Sequence, residues 1–121
     1  MSGDIIGGNM EACPPPSAER LSGDFFRFLF YGDTAVSWKS RLELGRDLTD
    51  DKCREAAVSL MTSSKAVEKS KKRHPAFKKK MVARIKIEES HGFVEIDKPD
   101  HANWWHPIGF LPHEHSEVVS L

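Results

Sequence analysis

From Met81 to Glu88 the apolar positions Met81, Ala83, Ile85 and Ile87 alternate with Val82, Arg84, Lys86 and Glu88. A period of two marks a half-buried strand. Glu89 to Gly92 reads as a turn, with Gly92 free to take positive φ. Phe93 to Ile96 is a second short apolar run, ended by Pro99, that is expected to pair with the first as a β-hairpin.

Upstream the period is helical. Cys53, Ala56, Ala57, Leu60, Met61 and Val67 recur at offsets of three and four, which predicts a helix over about Asp50 to Val67 with one apolar stripe. Thr49 is the expected N-cap, and Asp50 and Asp51 suit the positive end of the helix dipole. Cys53 on that stripe reads as a small core side chain. Pro75 requires the helix to have ended by about His74. A second helix is expected from Asp33 or Thr34 through Leu44, with Gly45 as its stop. The run Phe25-Phe26-Arg27-Phe28-Leu29-Phe30-Tyr31 has no clear period. With Ser22 as N-cap it is read as a short, buried helix.

The ends are less regular. Residues 1–19 hold Gly7-Gly8 and the triproline Pro14–Pro16 with no apolar period, and read as a disordered arm. Residues 98–121 hold three prolines and no period, yet Trp104, Trp105, Ile108, Phe110 and Leu111 make them too apolar for a free tail. The expectation is an α+β fold: a compact domain over 20–97, two or three helices packed on a β-hairpin, with 98–121 lying extended across it or across a partner.

Composition narrows the classes. In 121 residues there is room for one core, and 39% hydrophobic with 30% charged residues suits a wet globular domain. No segment approaches the roughly 20 apolar residues that span a bilayer. The N-terminus lacks a basic leader and apolar stretch, so the chain is not expected to be secreted. Two distant cysteines, Cys13 and Cys53, are read as reduced thiols of a cytoplasmic or nuclear protein.

Charge then supplies the main functional signal. The protein is formally neutral, but Lys65 to Lys86 carries ten basic residues and one acidic one. Such a concentration points to a polyanionic partner or to a solvated face. Lys71, Lys72 and Arg73, then Lys78, Lys79 and Lys80, bracket a proline-broken loop, and Arg84 and Lys86 continue the theme on one strand face. Each can neutralise a phosphate, while Phe77 is placed to stack on an unpaired base. Lysine in excess of arginine favours backbone contact over base reading. The leading reading is a non-enzymatic nucleic-acid-binding module for RNA or a single strand.

The rival reading is an interaction protein: an adaptor, inhibitor or subunit of a larger assembly. Trp104, Trp105 and Phe110 would then bind the partner, since Trp is favoured at binding hot spots, and the basic loop would meet an acidic protein surface. Asp47, Asp50, Asp51 and Glu55 also offer pairing with the basic loop of a second copy. Five of the six histidines fall in the last 31 residues, but their spacing assigns no metal site and no cofactor. The sequence holds no phosphate-cradling glycine loop, no nucleophile elbow and no Cys with a positioned His, so no catalytic residue is assigned.

Overall fold

The aromatic run forms a strand. Gly23–Leu29 is β1, a central member of a six-stranded antiparallel sheet ordered β4 (Phe93–Lys98), β5 (His101–Trp105), β2 (Val58–Met61), β1, β3 (Met81–Ile87), β6 (Ser116–Val119). Its lack of period has a physical cause, because both faces of the strand are covered. Phe25 and Leu29 enter one core cluster, while Phe28, with Phe26 beside it, enters a second. A strand buried on both sides carries no alternation to read. The computed structural model describes residues 13–121; residues 1–12 of the expected arm lie outside them.

The long helix expected over Asp50 to Val67 is replaced by three elements. Helix α2 is only Lys52–Glu55, strand β2 is Val58–Met61, and helix α3 is Ser64–Arg73. The N-cap of α2 is Asp51 rather than Thr49, its side chain accepting from the Arg54 N–H. Ser63 caps α3, accepting from the Ala66 N–H at 3.0 Å. Val58 and Leu60 enter the larger core and Met61 packs against the smaller one, so this apolar run is buried on both strand faces and fits a helical stripe as well as a strand. The unpaired edges of β1 and β5 decide between them, because β2 supplies the hydrogen bonds both require.

The expected helix from Asp33 or Thr34 to Leu44 is likewise divided, into a 3-10 turn Ala35–Trp38 and the four-residue α1, Arg41–Leu44. Gly45 does stop it, in the left-handed conformation at φ 65°. Helix α3 ends at Arg73 ahead of Pro75, where a 3-10 turn, Pro75–Lys79, begins.

Both predicted strands exist, as β3 (Met81–Ile87) and β4 (Phe93–Lys98), but they do not form a hairpin. β3 pairs with β1 and with β6 (Ser116–Val119), while β4 pairs with β5 (His101–Trp105) at the far side of the sheet. The fold is thus α+β, with a sheet much larger than a hairpin. Gly92 sits at the diverging turn with φ 107°, and a Cβ there would lie 2.0 Å from the Trp105 carbonyl oxygen. Only glycine fits.

The larger core gathers Phe25, Trp38, Leu60, Ile85, Ile87 and Trp104 on one face of the sheet. On the other, Val67 of α3 packs over Phe28 and Val82, with Phe77 and Met61 around them. Cys13 and Cys53 form a disulfide, which corrects the expectation of free thiols and takes Cys53 out of any apolar stripe. Beyond it, Glu19 and Val94 exchange backbone hydrogen bonds of 2.9 and 2.7 Å, extending the pairing past the edge of β4.

Candidate functional site

The basic residues singled out in the sequence are distributed over several surfaces. Lys71, Lys72 and Arg73 form the last turn of α3, and Lys78 and Lys79 lie in the 3-10 turn that follows. Lys72, Arg73, Lys78 and Lys79 are exposed. Lys71 donates to the Leu121 carbonyl at 2.7 Å. Arg84 is ion-paired with Glu117, and Lys86 stands opposite Asp24 in the sheet register. The strand portion of the expected interface therefore carries its own counter-charges. Phe77 lies half-buried, its ring 4.9 Å from that of Phe28 and 5.4 Å from that of Phe30. It holds the 3-10 turn to the sheet, and Phe30 is left 46% exposed beside it.

The aromatic C-terminal residues separate in the same way. Trp104 is fully buried, its indole N–H donating to the His91 carbonyl at 2.8 Å, so it presents nothing to a partner. Trp105 is half-buried and donates to the Cys53 carbonyl at 2.9 Å. Phe110 stacks on His115 at 4.4 Å between rings and packs against the larger core. Of the four acidic residues, Asp51 pairs with Arg54 and buried Glu55 accepts from the Thr49 N–H, while Asp47 and Asp50 are exposed. Among the described residues no three His, Cys, Asp or Glu side chains converge as a metal site.

Lys80 is the point where the basic loop meets a cavity. About 530 Å³ opens between the end of β1, helix α1 and β2, and five cationic side chains line it: Arg27, Lys39, Arg41, Arg46 and Lys80. Asp47 is the single carboxylate in its wall. Among the described residues none of the five lies within 4.0 Å of a carboxylate. This concentration of unpaired positive charge in a concave wall focuses an electrostatic field toward an anion.

Local sequence builds that wall. A capping box, in which the Ser40 hydroxyl accepts from the Glu43 N–H and the Glu43 carboxylate accepts from the Ser40 N–H, starts α1. It fixes Lys39 and Arg41 on either side of Ser40. Gly45 then turns the chain so that Arg46 reaches back and donates to the Tyr31 hydroxyl at 2.5 Å. Arg41 donates to the Asp47 carbonyl at 3.3 Å.

Arg27 is held most firmly. Its guanidinium donates to the carbonyls of Ser37 at 2.7 Å, Ser59 at 2.6 Å and Lys39 at 3.2 Å, and it lies over the Trp38 ring. Burial lowers its pKa to about 10, which still leaves it charged at neutral pH. Neutral carbonyls orient a guanidinium without neutralising it, so the positive charge remains available to an anion. Lys80 closes the rim, its ammonium 5.7 Å from the Phe30 ring centroid.

Four of these five cations fall outside the Lys65–Lys86 window. One signal for them was present: a lone Arg27 inside a seven-residue aromatic strand needs partners to be buried at all. Nothing in the spacing of Lys39, Arg41 and Arg46 shows that they converge on it. A second polar centre lies near the disulfide. There Glu95, 5% exposed, accepts from Arg54 through both carboxylate oxygens, from Ser17 and from Asn103. Those bonds, led by Arg54, hold its pKa at about 2. Arg54 bridges Glu95 and Asp51 there, so the network ties α2 to β4 and holds no surplus positive charge for an anion. No protein-family model, curated protein or solved structure matches this chain.

Proposed function

We propose that this chain is a non-enzymatic nucleic-acid-binding module, for RNA or a single strand, that grips phosphates from the Arg27–Lys80 cavity outward along Lys78, Lys79, Lys72 and Arg73. The observation that carries the reading is the cavity wall: five cations, one carboxylate and no ion pair among the described residues. Exposed Phe30 and Tyr31, 46% and 41% accessible, offer the stacking surface beside it that single strands use. They take the role expected of Phe77. A paired duplex offers no free base faces to such rings.

A salt titration tests this. If about four phosphates are engaged, the logarithm of the affinity for a short single-stranded oligonucleotide falls with the logarithm of salt at a slope of about −3. Absence of binding at low salt refutes the reading. The disulfide favours an oxidising compartment over the cytoplasmic or nuclear one expected from composition. One observation keeps the protein-interaction reading in view: Ile108 and Leu111 stand exposed on the loop beside Phe110, an apolar pair that a protein partner would cover.

A further inference from the structure

Resting on that reading of the same cavity, we infer that it receives the terminal phosphomonoester of a nucleic-acid strand, which makes the protein a binder of phosphorylated ends rather than of internal backbone. Three features of the wall point there.

The first is charge. An internal phosphodiester carries one negative charge, whereas a terminal phosphomonoester carries about −1.5 to −2 near neutral pH. Five cations against Asp47 exceed what one diester requires, and a dianion uses them more fully. Arginine forks add bidentate geometry for the monoester's three unesterified oxygens. Arg41 and Arg46, each bonded through one terminal nitrogen only, supply two such forks in one wall, while Arg27, whose three nitrogens donate to backbone carbonyls, adds its charge.

The second is access. A diester phosphate has a nucleoside on each side, so both chains must leave the cavity. Behind Arg27 stand the carbonyls of Ser37 and Lys39 and that of Ser59 in β2, all hydrogen-bonded to its guanidinium. That backbone closes the Arg27 side of the cavity. A chain end can abut it, whereas a diester must leave in two directions along the open side.

The third is the rim. Phe30 and Tyr31 both line the cavity and both are exposed, so the first base behind a buried terminal phosphate meets an aromatic face. The Tyr31 hydroxyl is held by Arg46, which fixes the ring relative to a phosphate-binding cation. A cavity of about 530 Å³ is of the size that holds small ligands.

The test measures full-length protein binding, by fluorescence anisotropy, to one single-stranded RNA sequence bearing a 5′-phosphate, a 3′-phosphate or hydroxyls at both ends. The expected result is about tenfold tighter binding to one phosphorylated end, equivalent to about 1.4 kcal/mol, with the better end identifying the polarity. In Lys39→Gln and Arg46→Gln, both exposed positions whose loss spares the core, that gain falls below about twofold. A nucleoside monophosphate should compete with the phosphorylated strand. Equal affinity for all three ends overturns the inference and leaves the nucleic-acid reading intact. Failure of every strand to bind at low salt overturns both. Displacement of the strand by a phosphoserine peptide at lower concentration than by the nucleoside monophosphate overturns the inference in favour of a phosphoprotein partner.

Discussion

Replacing Glu95 by Gln isolates the buried carboxylate that Arg54, Ser17 and Asn103 hold near the disulfide. Glu95 is 5% exposed on β4 and accepts from Arg54 at 2.9 and 2.5 Å, from Ser17 at 2.6 Å and from Asn103 at 3.0 Å. These bonds hold its pKa at about 2 against an ordinary 4.5. The unfolded chain binds the proton more readily, so the stabilisation is fully present above about pH 4.5 and is lost as pH falls toward 2. At about 1.4 kcal/mol for each tenfold change in proton affinity, the carboxylate contributes about 3 kcal/mol at neutral pH. Urea unfolding followed by tryptophan fluorescence, in wild type and Glu95→Gln, should show a gap of about that size at pH 7. The gap should close as pH falls from 4.5 to 2. Asp51 and Glu55, also held below their usual range, contribute acid sensitivity to both proteins, so the difference between the curves is the informative quantity. A gap that stays constant across the acid range refutes the assignment.

Replacing both Cys13 and Cys53 by Ala opens a loop of sequence separation 40, and chain entropy sets the cost at about 4 kcal/mol; a loss under about 1 kcal/mol in urea unfolding would contradict it. Trp104→Ala removes a fully buried indole and its bond to the His91 carbonyl, for a loss of about 3–5 kcal/mol. Gly92→Ala, with φ 107° and a Cβ 2.0 Å from the Trp105 carbonyl oxygen, should lower stability by at least about 2 kcal/mol, read as a fall in the thermal midpoint. Replacing Lys78, Lys79 and Lys80 by Glu should abolish oligonucleotide binding while circular dichroism stays unchanged, because Lys78 and Lys79 are exposed and Lys80 is only half-buried. Retained binding would exclude that edge from the interface.

The amino-acid sequence alone determined the elements whose chemistry is local. β3 followed from a period of two because only one of its faces carries charge, and Pro75 and Gly45 ended their helices through their own backbone preferences. The concentration of charge around Lys71 to Lys80 was also legible, since net charge needs no fold. What surrounds β1 was not. Phe25 to Leu29 and Val58 to Met61 become strands because neighbouring strands need their backbone hydrogen bonds and two core layers need their side chains. Both demands come from residues far away in the chain. The pairing of β3 with β1 and β6 rather than with β4, and the Cys13–Cys53 bridge, are long-range choices of the same kind. The cavity depends on them most. Arg27, Lys39, Arg41 and Arg46 meet Lys80 only because β1 and β3 are paired side by side. The charge run showed where cations concentrate along the chain, and the tertiary structure decided which cations share one cavity wall.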